Sequence, residues 1–309
     1  MITVVGSINC DYVLKMERFP NVGETIHIDS LSIVPGGKGA NQAVTSAKLG
    51  EHVLFIVAMG SDPMAEFLES SLRRYGNLDC KVIRSSKKTG MAFIEVNEKG
   101  DNKIMVFRGA NSELSFRDVL EYEDMMKRSD TILLQCEIPL DTNLEMVKRF
   151  RGKTVILDPS PVDSFSEELL NGIAYITPNR TEFREITGID PENPEDILKG
   201  AEYFFKFDVG NLVLKDGENG AYLVDRNEKT VLHAIPPKVD AIDTTAAGDV
   251  FNGSFAVFLS RGIRKDEALK MAVATATLSV TKLGAQTSIP SEMEVRTSGL
   301  MDRVVVERL

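Results

Sequence analysis

The run Asp243-Thr244-Thr245-Ala246-Ala247-Gly248-Asp249-Val250-Phe251-Asn252-Gly253 puts small residues and a carboxylate where a helix is about to begin. Thr244 or Thr245 is expected to cap that helix. Alanine and glycine in its first turn let bare backbone N–H groups come close to an anion. Asp249 sits one turn in, where it can take a proton from an attacking hydroxyl while the helix N-terminus stabilises charge developing on the transferring group. That is the logic of phosphoryl transfer. A helix whose small residues merely pack against a strand would carry the same letters, so other parts of the chain must separate the two readings.

A second glycine-rich segment, Pro35-Gly36-Gly37-Lys38-Gly39-Ala40-Asn41-Gln42, precedes another predicted helix. Its glycines allow backbone to approach a ligand, and Lys38 and Asn41 can donate hydrogen bonds to hydroxyls, although a flexible turn would read similarly. Asn9-Cys10-Asp11 follows the first predicted strand and Glu137 follows another. Thr177-Pro178-Asn179-Arg180-Thr181-Glu182 and Lys215-Asp216-Gly217-Glu218-Asn219-Gly220 follow two more. Ligands of open α/β sheets gather at the carboxyl ends of strands, so these polar clusters share one edge. The G-x-x-x-x-G-K-[ST] loop, the G-x-G-x-x-G turn and the His-Arg-Asp loop are all absent. A nucleotide site here must be built differently.

The elements that hold these residues alternate between strand and helix, the pattern of a parallel sheet covered by crossover helices. Strands are predicted at 2–6, 53–58, 131–136, 154–157, 174–177 and 212–215. Helices are predicted at 40–49, 64–75, 250–261 and 266–282, with Asp62-Pro63 starting the second and Gly50, Gly76, Gly262 and Gly284 following the four ends. Two stretches read as β instead: 12–34, and a hairpin of 91–96 and 103–107 turned at 97–101. They are expected to form a small sheet standing off the main domain, as a lid or a self-association surface.

With 309 residues there is ample chain for one large α/β domain. A formal net charge of -10 without a Lys/Arg block argues against nucleic acid or an anionic membrane as the main partner. Cys10, Cys80 and Cys136 are scattered and odd in number, as are His27, His52 and His233, and no zinc spacing occurs among them. The first residues lack a basic leader and no apolar run approaches the ~20 residues of a spanning helix, so a cytoplasmic location is expected.

Gly36 to Asn41 and the Asp-Thr-x-x-Ala-Gly-Asp segment at Asp243 to Asp249, in this order, make the chain resemble the ribokinases of the PfkB carbohydrate kinase group, from the first strand to Pro290. The resemblance implies a single three-layer α/β/α domain over residues 1–309, with a mainly parallel central sheet and a β lid from about 10–35 and 90–108. It implies ATP-dependent phosphorylation of D-ribose at its primary hydroxyl. Asn9, Asp11, Gly37, Lys38, Gly39, Asn41 and Glu137 would line the sugar pocket, with Asp249 as base and Ala246, Ala247 and Gly248 as anion hole. Asn179, Lys215, Gly217, Glu218, Gly220 and Gly248 would meet ATP. The resemblance also implies Mg²⁺ carried with ATP, a monovalent cation such as K⁺ at Asp243, Thr245, Ser279, Lys282, Gly284 and Ser288, and a homodimer formed through the lid. Alanine at position 246 favours the ribokinase branch. Asp216 adds an anion beside the expected ATP loop, and Val273 stands where ribokinases can carry histidine near adenine. The rivals are a kinase for another sugar, a phosphorylated ketose or a nucleoside, and a catalytically silent sensor on the same fold.

Overall fold

Alternation of apolar side chains between two faces organises the molecule, which a computed structural model describes over residues 1–309. The strands are β1 (Ile2–Val5), β2 (Asn9–Lys15), β3 (Ser30–Gly36), β4 (Val53–Met59), β5 (Leu78–Arg84), β6 (Gly90–Val96), β7 (Asn102–Phe107), β8 (Thr131–Gln135), β9 (Thr154–Asp158), β10 (Tyr175–Ile176), β11 (Asn211–Lys215), β12 (Ala221–Asp225), β13 (Val231–Ile235) and β14 (Val305–Arg308). Ten form one sheet in the order β14-β13-β12-β11-β10-β9-β8-β1-β4-β5. From β5 to β11 every pairing is parallel, and β12, β13 and β14 extend the sheet antiparallel.

Along β4, Val53, Phe55, Val57 and Met59 enter one core while Leu54, Ile56 and Ala58 enter the other. A strand buried on both faces gives such a continuous apolar run. The first core is closed by helices Lys38–Lys48, Ala247–Ser260 and Lys265–Ser279, the second by Leu140–Arg149, Arg180–Thr187 and Pro194–Phe205. This is the expected three-layer arrangement. No helix is long and apolar enough to cross a membrane.

β3, β2, β6 and β7 form the separate four-stranded sheet, in that order. Its hairpin matches the expected one, with Met91 opposite Phe107. The β character read over 12–34 is instead two strands, because residues 16–29 contain no strand. Four strands were not expected at all: β5, β12, β13 and β14. β5 mixes charged Asp79, Lys81 and Arg84 with its apolar residues at a sheet edge, so it lacks the apolar run of its neighbours.

The long helices also begin slightly differently. Asp62 caps helix Pro63–Leu72 by accepting the Ala65 N–H at 3.0 Å, and that helix stops three residues before Tyr75. Neither Thr244 nor Thr245 caps helix Ala247–Ser260. Ala246 is its N-cap, in the left-handed region at φ 63°, with no side-chain cap. The side chain that organises this turn belongs to Asp243, which accepts the Thr245 N–H at 2.9 Å and the Gly284 N–H at 2.8 Å.

Candidate active site

Asp249 lies in the first turn of helix Ala247–Ser260, buried at 6% exposure. Two donors from helix Lys38–Lys48 hold it: Asn41 Nδ2 donates to one oxygen at 2.9 Å and Gln42 Nε2 to the other at 3.2 Å. The helices can approach this closely because a Cβ at Gly253 would lie 2.7 Å from the Gln42 carbonyl and from Thr45 Cβ. Burial raises the Asp249 carboxyl, the nearby Lys38 ammonium lowers it and Asp158 raises it again, leaving it at about 6. A carboxylate tuned there is mostly ionised at neutral pH yet basic enough to accept a proton.

At the same helix end the N–H groups of Ala246 and Gly248 have no hydrogen-bond partner, while that of Ala247 donates to Thr244 O at 3.2 Å. Ala246 is the one residue of this turn in a conformation that suits glycine better, at a cost of about 1 kcal/mol. The strain is localised where unpaired donors point out of the helix, a place suited to an anion.

Beyond the carboxyl end of β1 the lid meets the main sheet. β2 starts at Asn9, which pairs with Gly36 of β3 and Gly90 of β6. Asn111 Nδ2 donates to Asn9 Oδ1 at 2.8 Å and fixes that amide. Asp11 is buried beside Gly36, where a Cβ would come within 1.9 Å of its carboxylate and force that side chain to move. One Asp11 oxygen is buried without a partner. Burial, then the charges of Glu137 and Asp249, push Asp11 up to about 8. Glu137 accepts from Ser7 Oγ and, at 3.2 Å, from the Lys38 N–H. Gly37, at φ 89°, turns the chain into that contact, and the Gly39 N–H donates to Ser7 Oγ at 3.3 Å. Burial works against the Lys38 ammonium, but Asp249, Asp158, Glu137 and Glu182 outweigh it and raise its pKa. Asn9, Asp11, Gly37, Lys38, Gly39, Asn41 and Glu137 are thus gathered with Asp249 in one polar cluster.

The residues expected to meet ATP are less tightly gathered. Lys215 reaches the helix end, its Nζ lying 3.5 Å from where a Gly248 Cβ would stand. The Asn179 side chain is engaged elsewhere: it accepts the Glu182 N–H at 2.9 Å and donates to Glu182 Oε1 at 2.8 Å, while Glu182 Oε2 accepts the Asn179 backbone N–H at 2.8 Å and completes a capping box. Gly217 and Gly220 shape the turn between β11 and β12, where Glu218 is exposed. Asp216 accepts from Asn219 at 3.1 Å and faces Arg180 at 3.7 Å, which answers its extra charge. Val273 is buried in the core.

For the expected cation residues, Asp243 ties the loop before the helix to Gly284. The N–H groups of Ile242 and Asp243 donate to Val280 O at 2.7 and 3.2 Å, next to Ser279. The Lys282 side chain turns away to Glu294 and Ser288 Oγ donates to Ala285 O at 2.8 Å, leaving carbonyl oxygens as their available donors.

Residues 1–292 match the pfkB family carbohydrate kinase. The chain belongs to the pfkB family of carbohydrate kinases. Within this family it is 38% identical to a ribokinase of Haemophilus influenzae over 95% of this chain and 96% of that one. It superposes on the crystal structure of a Thermotoga maritima ribokinase with a TM-score of 0.87 at 42% identity, covering 96% of this chain and 97% of that one. The Arabidopsis thaliana ribokinase structure complexed with ribose and ATP gives a TM-score of 0.86 at 32% identity, covering 97% of this chain and 98% of that one. PfkB membership makes the chain a phosphotransferase of the carbohydrate kinase type.

Sequence reasoning gave no role to Gln42, Asp158, Asn111, Gln135 or Asn252, all buried at the site. Asp158 directly follows the predicted strand 154–157, in the position that singled out Asn9 and Glu137, so the strand-end rule reaches it too. The others are amides whose partners lie about 90 or more positions away along the chain, beyond any local signal.

Proposed function

We propose that this protein transfers the γ-phosphoryl group of ATP to the primary (O5) hydroxyl of D-ribose, giving ribose 5-phosphate and ADP. The observation that carries the reading is a buried carboxylate, Asp249, gripped by Asn41 and Gln42 at a helix end with unpaired N–H donors. Asp249 accepts the hydroxyl proton as the oxygen attacks phosphorus, and the free N–H groups of Ala246 and Gly248 stabilise the charge on the moving group, with Ala247 between them tied to Thr244 O. Asn9, Asp11, Lys38, Asn41 and Glu137 supply the donors and acceptors a polyol needs, with Gly37 and Gly39 giving room. Lys215, Gly217, Gly220 and Gly248 border the nucleotide, and Asn179 shapes its edge through the capping box rather than through a free side chain. Closure of the β lid excludes water and limits idle ATP hydrolysis.

No three His, Cys, Asp or Glu side chains cluster to hold a metal. In this reading magnesium would arrive carried on the ATP phosphates, where it would neutralise their charge. The oxygen-only donors at Asp243, Thr245, Ser279, Lys282, Gly284 and Ser288 fit a hard monovalent cation such as K⁺, which would stiffen the loops flanking the helix end. Lid-to-lid homodimerisation in the cytoplasm is part of the same reading. Ile33, Phe93 and Met105 lie in one cross-strand row and are all exposed.

ADP release from MgATP with D-ribose in potassium buffer, beside a no-sugar control, tests the reading. Ribose-dependent release is expected. Its absence, with release on deoxyribose, fructose, a phosphorylated ketose or a nucleoside instead, would reassign the substrate, and binding without turnover across the panel would point to a sensor.

A further inference from the structure

Asp158, at the carboxyl end of β9, is 2% exposed and its charge is answered from three directions. Lys215 Nζ approaches one oxygen at 3.3 Å, while Asn252 Nδ2 at 2.9 Å and Gln42 Nε2 at 3.3 Å donate to the other. Gln42 Nε2 is the same atom that donates to Asp249 at 3.2 Å, so one amide is shared between two carboxylates. Gln135 Nε2 donates to Gln42 Oε1 at 2.7 Å, which sets the orientation of that amide. The chain Lys215, Asp158, Gln42, Asp249 thus runs unbroken from the edge of the nucleotide site to the base.

We propose that Asp158 is a positioning residue that couples nucleotide arrival to the base, holding Lys215 while the nucleotide site is empty and keeping Gln42 aimed at Asp249. An anionic phosphoryl group at the helix end beside Gly248 offers Lys215 a second partner. Once Lys215 turns to it, the Asp158 charge is no longer shared and bears more strongly on Asp249. A like charge favours protonation of its neighbour, so the base is strengthened when its co-substrate is in place. Lys38, Glu137, Asp11 and Glu182 also face this cluster, and none of them bridges the nucleotide edge and the base through a shared donor. The proposal rests on the reading of Asp249 as base and Lys215 as a phosphate neighbour.

The test compares wild type, Asp158→Asn, Asp249→Asn and Lys215→Met. It uses pH profiles of kcat at saturating MgATP and D-ribose, with calorimetric binding of a non-hydrolysable ATP analogue. In Asp158→Asn, kcat is expected to fall on the order of 10-fold with KM for ribose held within about threefold. The acidic limb should move down by about one pH unit, as Asp249 loses a negative neighbour. Analogue affinity should hold or tighten, because Lys215 no longer leaves a partner to bind phosphate. An unmoved limb in a folded, ribose-binding Asp158→Asn protein overturns the proposal, as does weakened analogue binding. Should that variant fail to fold, Lys215→Met carries the test. Its acidic limb in kcat/KM for ATP, which reports enzyme before nucleotide binds, should rise by about half a unit, and no rise overturns the coupling. Full turnover in Asp249→Asn would instead sink the base assignment itself, so the two failures are separable.

Discussion

Two carboxylates in the polar cluster answer to opposite demands. Asp249 is raised only to about 6, because burial is offset by Lys38 and by the amides of Asn41 and Gln42. As the proposed base it must be ionised before nucleotide arrives, so kcat/KM for ATP is expected to fall as pH drops through about 6, and its pH profile with ribose present checks this. Asp249→Asn should lower kcat on the order of 10²-fold or more in steady-state assays, with ribose still bound. Asp11, with one orphaned oxygen and two anionic neighbours, is pushed to about 8. Its folded-state value lies above the unfolded one, so the folded protein binds the proton more tightly and wild type loses stability as pH rises from about 4 to 8. Asp11→Asn lacks that loss. Thermal unfolding of the sugar-free protein should show the variant gaining on wild type across this window, with the gap constant above it, while ribose affinity drops.

The grip on Asp249 depends on how closely two helices cross. An added methyl at Gly253 would collide with the Gln42 carbonyl and with Thr45, and Ser46 Oγ also donates to Gly253 O at 3.3 Å. Gly253→Ala should therefore cost about 1–3 kcal/mol in denaturant unfolding and also lower kcat, because Asn41 and Gln42 move with their helix. Asp243 plays the equivalent part for the loops, joining the turn before helix Ala247–Ser260 to Gly284. Asp243→Asn should weaken that joint and blunt any stimulation by K⁺ over choline in the ADP-release assay. Strand identities in the parallel sheet were largely readable, since β1, β4, β8, β9 and β11 carry buried apolar runs, whereas helices Leu140–Arg149, Arg180–Thr187 and Pro194–Phe205 were not read. The capping of helix Ala247–Ser260 was not, because Asp243 outcompetes the two threonines by bonding Gly284, 41 residues away.

At the level of the whole molecule the lid remains a sheet with an exposed apolar surface, and β7 is exposed along its entire length. Covering that surface with a second copy would remove both the edge and the apolar row from water. Wild type should sediment as a dimer and Met105→Glu should shift it to monomer in analytical ultracentrifugation; a wild-type monomer would end the dimer reading. The α/β class, the paired glycine-rich signatures and the strand-end polar residues follow from local pattern, because period, turn chemistry and small-residue runs act over a few neighbours. The antiparallel extension β12 to β14 and the amide network around Asp158 and Asp249 do not. They depend on residues brought together from positions such as 42, 158, 215 and 249, and on where a sheet ends. Which buried donor satisfies which buried carboxylate is a matter of packing in three dimensions. No spacing along the chain encodes it, and it is what turns scattered polar residues into a buried carboxylate with held donors and a neighbouring cation.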